Sequence, residues 1–139
     1  MPPVPKKIYT KERFFKPKRV IAQESNPLEE TDQITVTDWL DVHRICYQAS
    51  MMGAHLHPAT RNRMKRIGCQ AGHPDLIIYD SPPLMPEKKG VAIEMKRTKG
   101  GVVSDLQKEW QLKLQARGWV ALICEGADAA ISALERIGY

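Results

Sequence analysis

Asp75 heads the apolar run DLIIYD, and Glu94 and Lys96 sit within the run GVAIEMK. Charged groups are rarely placed inside buried strands without a partner. Two carboxylates about 4 Å apart repel each other, and without a cation one of them is driven toward its neutral form. A divalent ion removes that conflict. Oxygen donors with no Cys or clear His partner favour a hard ion, Mg²⁺ or Mn²⁺, over Zn²⁺. Such an ion acidifies a bound water and offsets charge on a phosphate, which are the needs of phosphodiester hydrolysis. Lys96 then falls beside the attacking water. Taken singly, these residues have plainer uses: Asp75 as a turn acid, and Glu94 with Lys96 as a same-face ion pair at a strand end.

The elements that bring them together follow from pattern. β-Branched content predicts strands over 75–80 and 90–96, joined through the Pro-rich SPPLMPEKK and paired antiparallel. Asp75 opens one strand and Glu94 lies near the end of the other, so antiparallel pairing makes them neighbours. Alternation puts Ile77 and Tyr79 on the side of Asp75, and Lys96 on the side of Glu94. Upstream, Asn26-Pro27 with Glu29 suits a helix start, and Ile34, Trp39, Val42, Cys46 and Ala49 predict a helix over 27–50. GAHLHP reads as a short strand ended by Pro58, and TRNRMKRIG as a basic helical turn stopped by Gly68.

Ser104 and Gln107 form a capping-box pattern for a helix that carries Leu106, Trp110 and Leu114 on one stripe and ends at Gly118. WVALIC, apolar throughout, predicts a central strand covered on both faces. A last helix over 127–137 turns Ile131, Leu134 and Ile137 inward. The expected fold is α/β, a mixed central sheet flanked by helices.

The chain has 139 residues, within the range of one domain. Its 42% hydrophobic and 27% charged residues suit a globular protein with no membrane span. The first residues lack the apolar core of a secretory signal, and three scattered cysteines predict neither a disulfide framework nor a thiolate metal site. A reducing, cytoplasmic location is the expectation. The net charge of +5 is uneven: residues 1–28 hold seven basic residues against two acids, and the remainder is neutral. Residues 1–25 thus read as a basic, Pro-containing arm drawn to a polyanion, and 26–139 as the folded domain. Arg61, Arg63, Lys65 and Arg66 precede the GHPD loop, and Arg97 and Lys99 extend the rim beyond Lys96. All six are candidate DNA-phosphate contacts, or else a solvated face.

GHPD, an apolar strand, a connection and then IEMK resemble the PD-(D/E)xK nuclease signature, with Pro74-Asp75 as its first half and Glu94-Met95-Lys96 as its second. More narrowly, EETDQ, RIGCQAGHPDL, VAIEMKR and GGVVSDLQKEWQLKLQARGW resemble the VRR-NUC family over residues 28–137. The resemblance implies a restriction-endonuclease-like core and a metal-dependent nuclease acting on DNA. It makes Asp75, Glu94, the Met95 carbonyl and an acid of the first helix the metal ligands, and Lys96 the helper of the nucleophile. That helical acid is Glu29 or Glu30, with Glu29 favoured by its spacing from Gln33. Gln107 matches a family Gln, though it equally suits the cap after Ser104. The likeness further implies structure-specific action on branched DNA such as a four-way junction, a homodimer, a bacterial or phage-infected cell, and no small-molecule cofactor.

The chain departs from the family at HLHPATRN, where an Asn-Gly pair is common, and at His73, where a small apolar residue is common. His55-x-His57 has zinc-like spacing but lacks a third ligand. Two other classes compete: a DNA-binding module that cuts nothing, which has no use for Asp75, Glu94 and Lys96 together, and a restriction-enzyme subunit, for which no recognition domain is evident.

Overall fold

The computed structural model describes residues 29–50 and 57–139. The basic arm, the Asn26-Pro27 helix start and most of the GAHLHP strand, including His55, lie outside the described residues. Among the described residues, eight elements follow in chain order: α1 (Glu29–Val42), β1 (Tyr47–Ala49), α2 (Pro58–Arg66), β2 (Leu76–Ile78), β3 (Val91–Lys96), α3 (Asp105–Ala116), β4 (Val120–Glu125) and α4 (Ala127–Arg136).

The described strands form one mixed sheet in the order β1-β2-β3-β4. Both β1–β2 and β2–β3 are antiparallel, while β3 and β4 run parallel through the α3 crossover. Alternation divides the sheet. Leu76 and Ile78 of β2, Val91, Ile93 and Met95 of β3, and Cys124 of β4 point into the main core, where Val36 and Leu40 of α1 and Ala130 and Leu134 of α4 meet them. Ala92, Glu94 and Lys96 face the other way, toward α3, and are buried as well. With no exposed residue, β3 is the strand covered on both faces.

That role was expected of WVALIC. In the structure β4 is instead the edge of the described sheet, and it is apolar because α4 covers one face and α3 reaches the other. The long first helix is also corrected. It stops at Val42, and Arg44 takes a left-handed φ of 58° that turns the chain back. Residues 47–49 then pair with β2, with the Cys46 N–H donating to Asp80 Oδ2 at 2.8 Å. The buried stripe of α1 is Val36, Thr37 and Leu40, whereas Ile34 and Val42 are exposed. On α3, Leu106 is also exposed and Gln111 is the buried residue. No helix among the described residues is long and apolar enough to cross a membrane.

Candidate active site

Register makes the site. Leu76 pairs with Ile93, so the next position outward opposes Asp75 to Glu94. The two strands have no further backbone pair there, and the Asp75 side chain takes over the ladder: its Oδ2 accepts from the Met95 N–H at 2.7 Å. Its carbonyl accepts from the Ser50 N–H beyond the end of β1, at 2.8 Å. Asp75 is thereby fixed from two directions, with Pro74 fully buried before it.

Glu94 is 2% exposed. Its Oε1 receives Lys96 Nζ at 3.1 Å and also the Gln107 side-chain amide. Its Oε2 is buried with no hydrogen-bond partner. Glu29, from the first turn of α1, completes a group in which one carboxylate oxygen from each of Glu29, Asp75 and Glu94 lies within 4.8 Å of the others. Glu30, its neighbour, is exposed and lies outside the group. An orphaned buried carboxylate oxygen beside two further acids is expensive to leave without a cation, so the donor set fits a hard divalent ion.

The electrostatics agree. Burial pushes the Glu94 carboxyl up to about 7, with the Asp75 charge adding to the rise and Lys96 opposing it. Burial also raises Asp75, against the lowering by the Met95 N–H. Three acids crowded in a partly dry site make proton uptake the alternative to cation binding.

Gln107 does two things at once. Its Oε1 accepts from the Ser104 N–H at 2.9 Å and its own N–H donates to Ser104 Oγ at 3.2 Å, a complete capping box. Its amide nitrogen then reaches Glu94. The cap and the site contact, weighed as alternatives on sequence, are one arrangement. Met95 sends its side chain to the core and lies between Glu94 and Lys96 on β3.

The basic candidates are not part of this cluster. Arg61, Arg63, Lys65 and Arg66 are exposed along α2, and Arg97 and Lys99 are exposed just past β3. His57 caps α2, its Nδ1 accepting from the Ala59 N–H at 3.3 Å, a structural use for half of the zinc-like pair. Sequence reasoning missed Asp32, one turn beyond Glu29. Its Oδ1 accepts from the Ala127 N–H at 3.2 Å and so ties α1 to the start of α4. The signal was Gly126, a helix start with no side chain to serve as its own cap.

The VRR-NUC domain model matches residues 20–128. No curated protein matches the chain. Among solved structures, a VRR_NUC domain protein superposes with a TM-score of 0.64 over 84% of this chain and 91% of that one, at 24% identity, a likeness of fold. With a family match over most of its length and a mixed sheet that sets Asp75 against Glu94-Met95-Lys96, the chain belongs to the VRR-NUC family of nuclease-type domains.

Proposed function

We propose that the protein is a divalent-metal-dependent endonuclease that hydrolyses phosphodiester bonds of DNA. One observation carries the reading: three carboxylates, from α1, the residue before β2, and β3, converge within 4.8 Å, and Lys96 is ion-paired to one of them. Glu29, Asp75 and Glu94 would hold Mg²⁺ or Mn²⁺, with the Met95 carbonyl as a further ligand. The ion supplies Lewis acidity toward the phosphate and acidifies a bound water. Lys96, anchored on Glu94, orients the attacking water and counters negative charge growing on the phosphoryl oxygens. Gln107 and the Met95 N–H fix the carboxylates so that the site needs little rearrangement when charged. Water adds to phosphorus, the bond to one bridging oxygen breaks, and a phosphate monoester and a hydroxyl result.

The family likeness supports structure-specific action on branched DNA by a homodimer, since two sites related by a two-fold axis suit a symmetric junction. Residues 1–25 act in this reading as a basic arm on the domain formed by 26–139, in the cytoplasm of a bacterial or phage-infected cell.

The test is cleavage of four-way junctions, flaps and plain duplex side by side at fixed salt, with Mg²⁺ or Mn²⁺ and with chelator. Wild type cuts only with metal, and Lys96→Ala loses about 10²–10⁴-fold in kcat while still binding DNA and Mn²⁺. Equal cutting by wild type and Lys96→Ala overturns the assignment, and DNA binding without any cutting leaves a binding module.

A further inference from the structure

Next to the carboxylate cluster is a cavity of about 410 Å³. Its floor is Gln48 of β1 with Ile77 and Tyr79 from β2 and its end; its walls are Met64 of α2, His73 of the GHPD loop and Trp110 of α3. Strand alternation puts Asp75, Ile77 and Tyr79 on one face of the sheet, and Gln48 is the register partner of Ile77. Ile77 is therefore two residues, about 6.7 Å, along the strand from Asp75. Trp110 is one helical turn past Gln107, whose amide touches Glu94. Cavity and acids thus lie along the same sheet face and the same helix.

The lining has a particular chemistry. Trp110 is held in place: its Nε1 donates to the Ala71 carbonyl at 3.2 Å, and the His73 ring meets it edge-on at 4.9 Å. Tyr79 is 53% exposed, an aromatic ring left open at the mouth. The side-chain amides of Gln48 and Gln70 also line the cavity, each able to donate and accept. The helix that supplies Met64 to this lining is strongly basic. Met64 turns in, while Arg61, Arg63, Lys65 and Arg66 of the same helix are exposed, and none of them pairs with an acid among the described residues.

We infer that this cavity receives one unpaired nucleobase of the substrate, adjacent to the phosphate at the carboxylate cluster. An apolar, aromatic interior bordered by a basic helix matches a base on its phosphate backbone, and an apolar peptide would leave that helix without complement. The volume falls in the range of about 300–1,000 Å³ typical of small-molecule sites. A base within a duplex has its faces stacked and its pairing edge used, so the occupant comes from a branch, a flap or a mismatch. This deepens the nuclease reading and rests on it: the selected substrate is DNA with an unstacked nucleotide beside the cut.

The experiment uses the full chain and a duplex with a single-stranded tail, in which one nucleotide at a time near the branch is replaced by an abasic unit. Binding is read by anisotropy with Ca²⁺, and cutting separately with Mn²⁺. Wild type should bind about tenfold more weakly when the abasic unit falls at one or two positions, the size expected for losing one stacked base. Tyr79→Ala should bind intact and abasic tails alike, and Tyr79→Phe should restore the difference. A flat abasic scan in wild type overturns the inference, and so does a Tyr79→Ala loss that is equal on both tails. Occupation by another segment of the chain gives the same flat scan. Cutting with a flat scan sinks the pocket alone; a position-dependent scan without cutting supports the pocket and sinks the nuclease reading.

Discussion

Glu94 concentrates the energetics of the site in one side chain. Its ordinary pKa is 4.5, and the fold moves it up to about 7. The fold thus favours the neutral acid, and that contribution to stability is complete below about 4.5 and lost as pH rises through about 7. Without metal, the protein should melt at a lower temperature at pH 8 than at pH 5.5, and Glu94→Gln should remove most of that drop. In the proposed reading, a cation bound at the cluster would displace the proton. Calorimetric titration with Mn²⁺ in buffers of different ionisation enthalpy should show release of roughly 0.9 proton from this group at pH 6 and roughly 0.1 at pH 8. Release that does not change with pH would mean that the ion binds away from Glu94. The polar trio was legible because Asp75, Glu94 and Lys96 each break an apolar run. What alternation alone left out was Glu29, since no local pattern tells which face of a distant helix reaches a strand end; the family spacing to Gln33 brought it in.

At the level of elements, α3 is the support of the site, because the residue that completes its capping box is also the residue that touches Glu94. Gln107→Ala removes both functions, so it cannot separate them. Gln107→Glu does: a capping box accepts Glu at the third position, so the helix keeps its start, while an amide donor beside Glu94 becomes a fourth acid. The helix content should stay as in wild type, metal-free stability at pH 8 should fall, and activity at limiting Mn²⁺ should drop by about 10–100-fold, the usual effect of altering a group that orients metal ligands. Unchanged activity would reduce Gln107 to a cap. The capping box was readable because it is local. The place of WVALIC was not, because an apolar strand at the sheet edge, covered by α4 and reached by α3, has the same composition as a central one. β1 was absorbed into the preceding helix for a similar reason: Cys46 and Ala49 continue the helical spacing, and the break at Arg44 carries neither Gly nor Pro to announce it.

Across the whole molecule, charge and chemistry are separated. The acids lie in a partly buried cluster, whereas the exposed cations line α2 and the segment after β3, and the excess charge of the sequence lies in residues 1–28. In the proposed reading, attraction to DNA is carried by groups that take no part in bond breaking. Each phosphate neutralised by such a group contributes about 0.9 to the slope of log K against log salt on duplex DNA. The double substitution Arg63→Ala with Arg66→Ala should lower that slope by about 1.8 if both residues meet phosphates. It should weaken binding evenly across substrates and leave kcat at saturating DNA unchanged. Tyr79→Ala should behave in the opposite way, reducing affinity at every salt concentration with the slope intact, because a stacked base releases no counterions. Binding isotherms at four or five salt concentrations, run on the same tailed duplex for both variants, distinguish the two kinds of contact. An unchanged slope in the arginine double variant would place the DNA path away from α2 and along the arm or the Arg97–Lys99 rim instead.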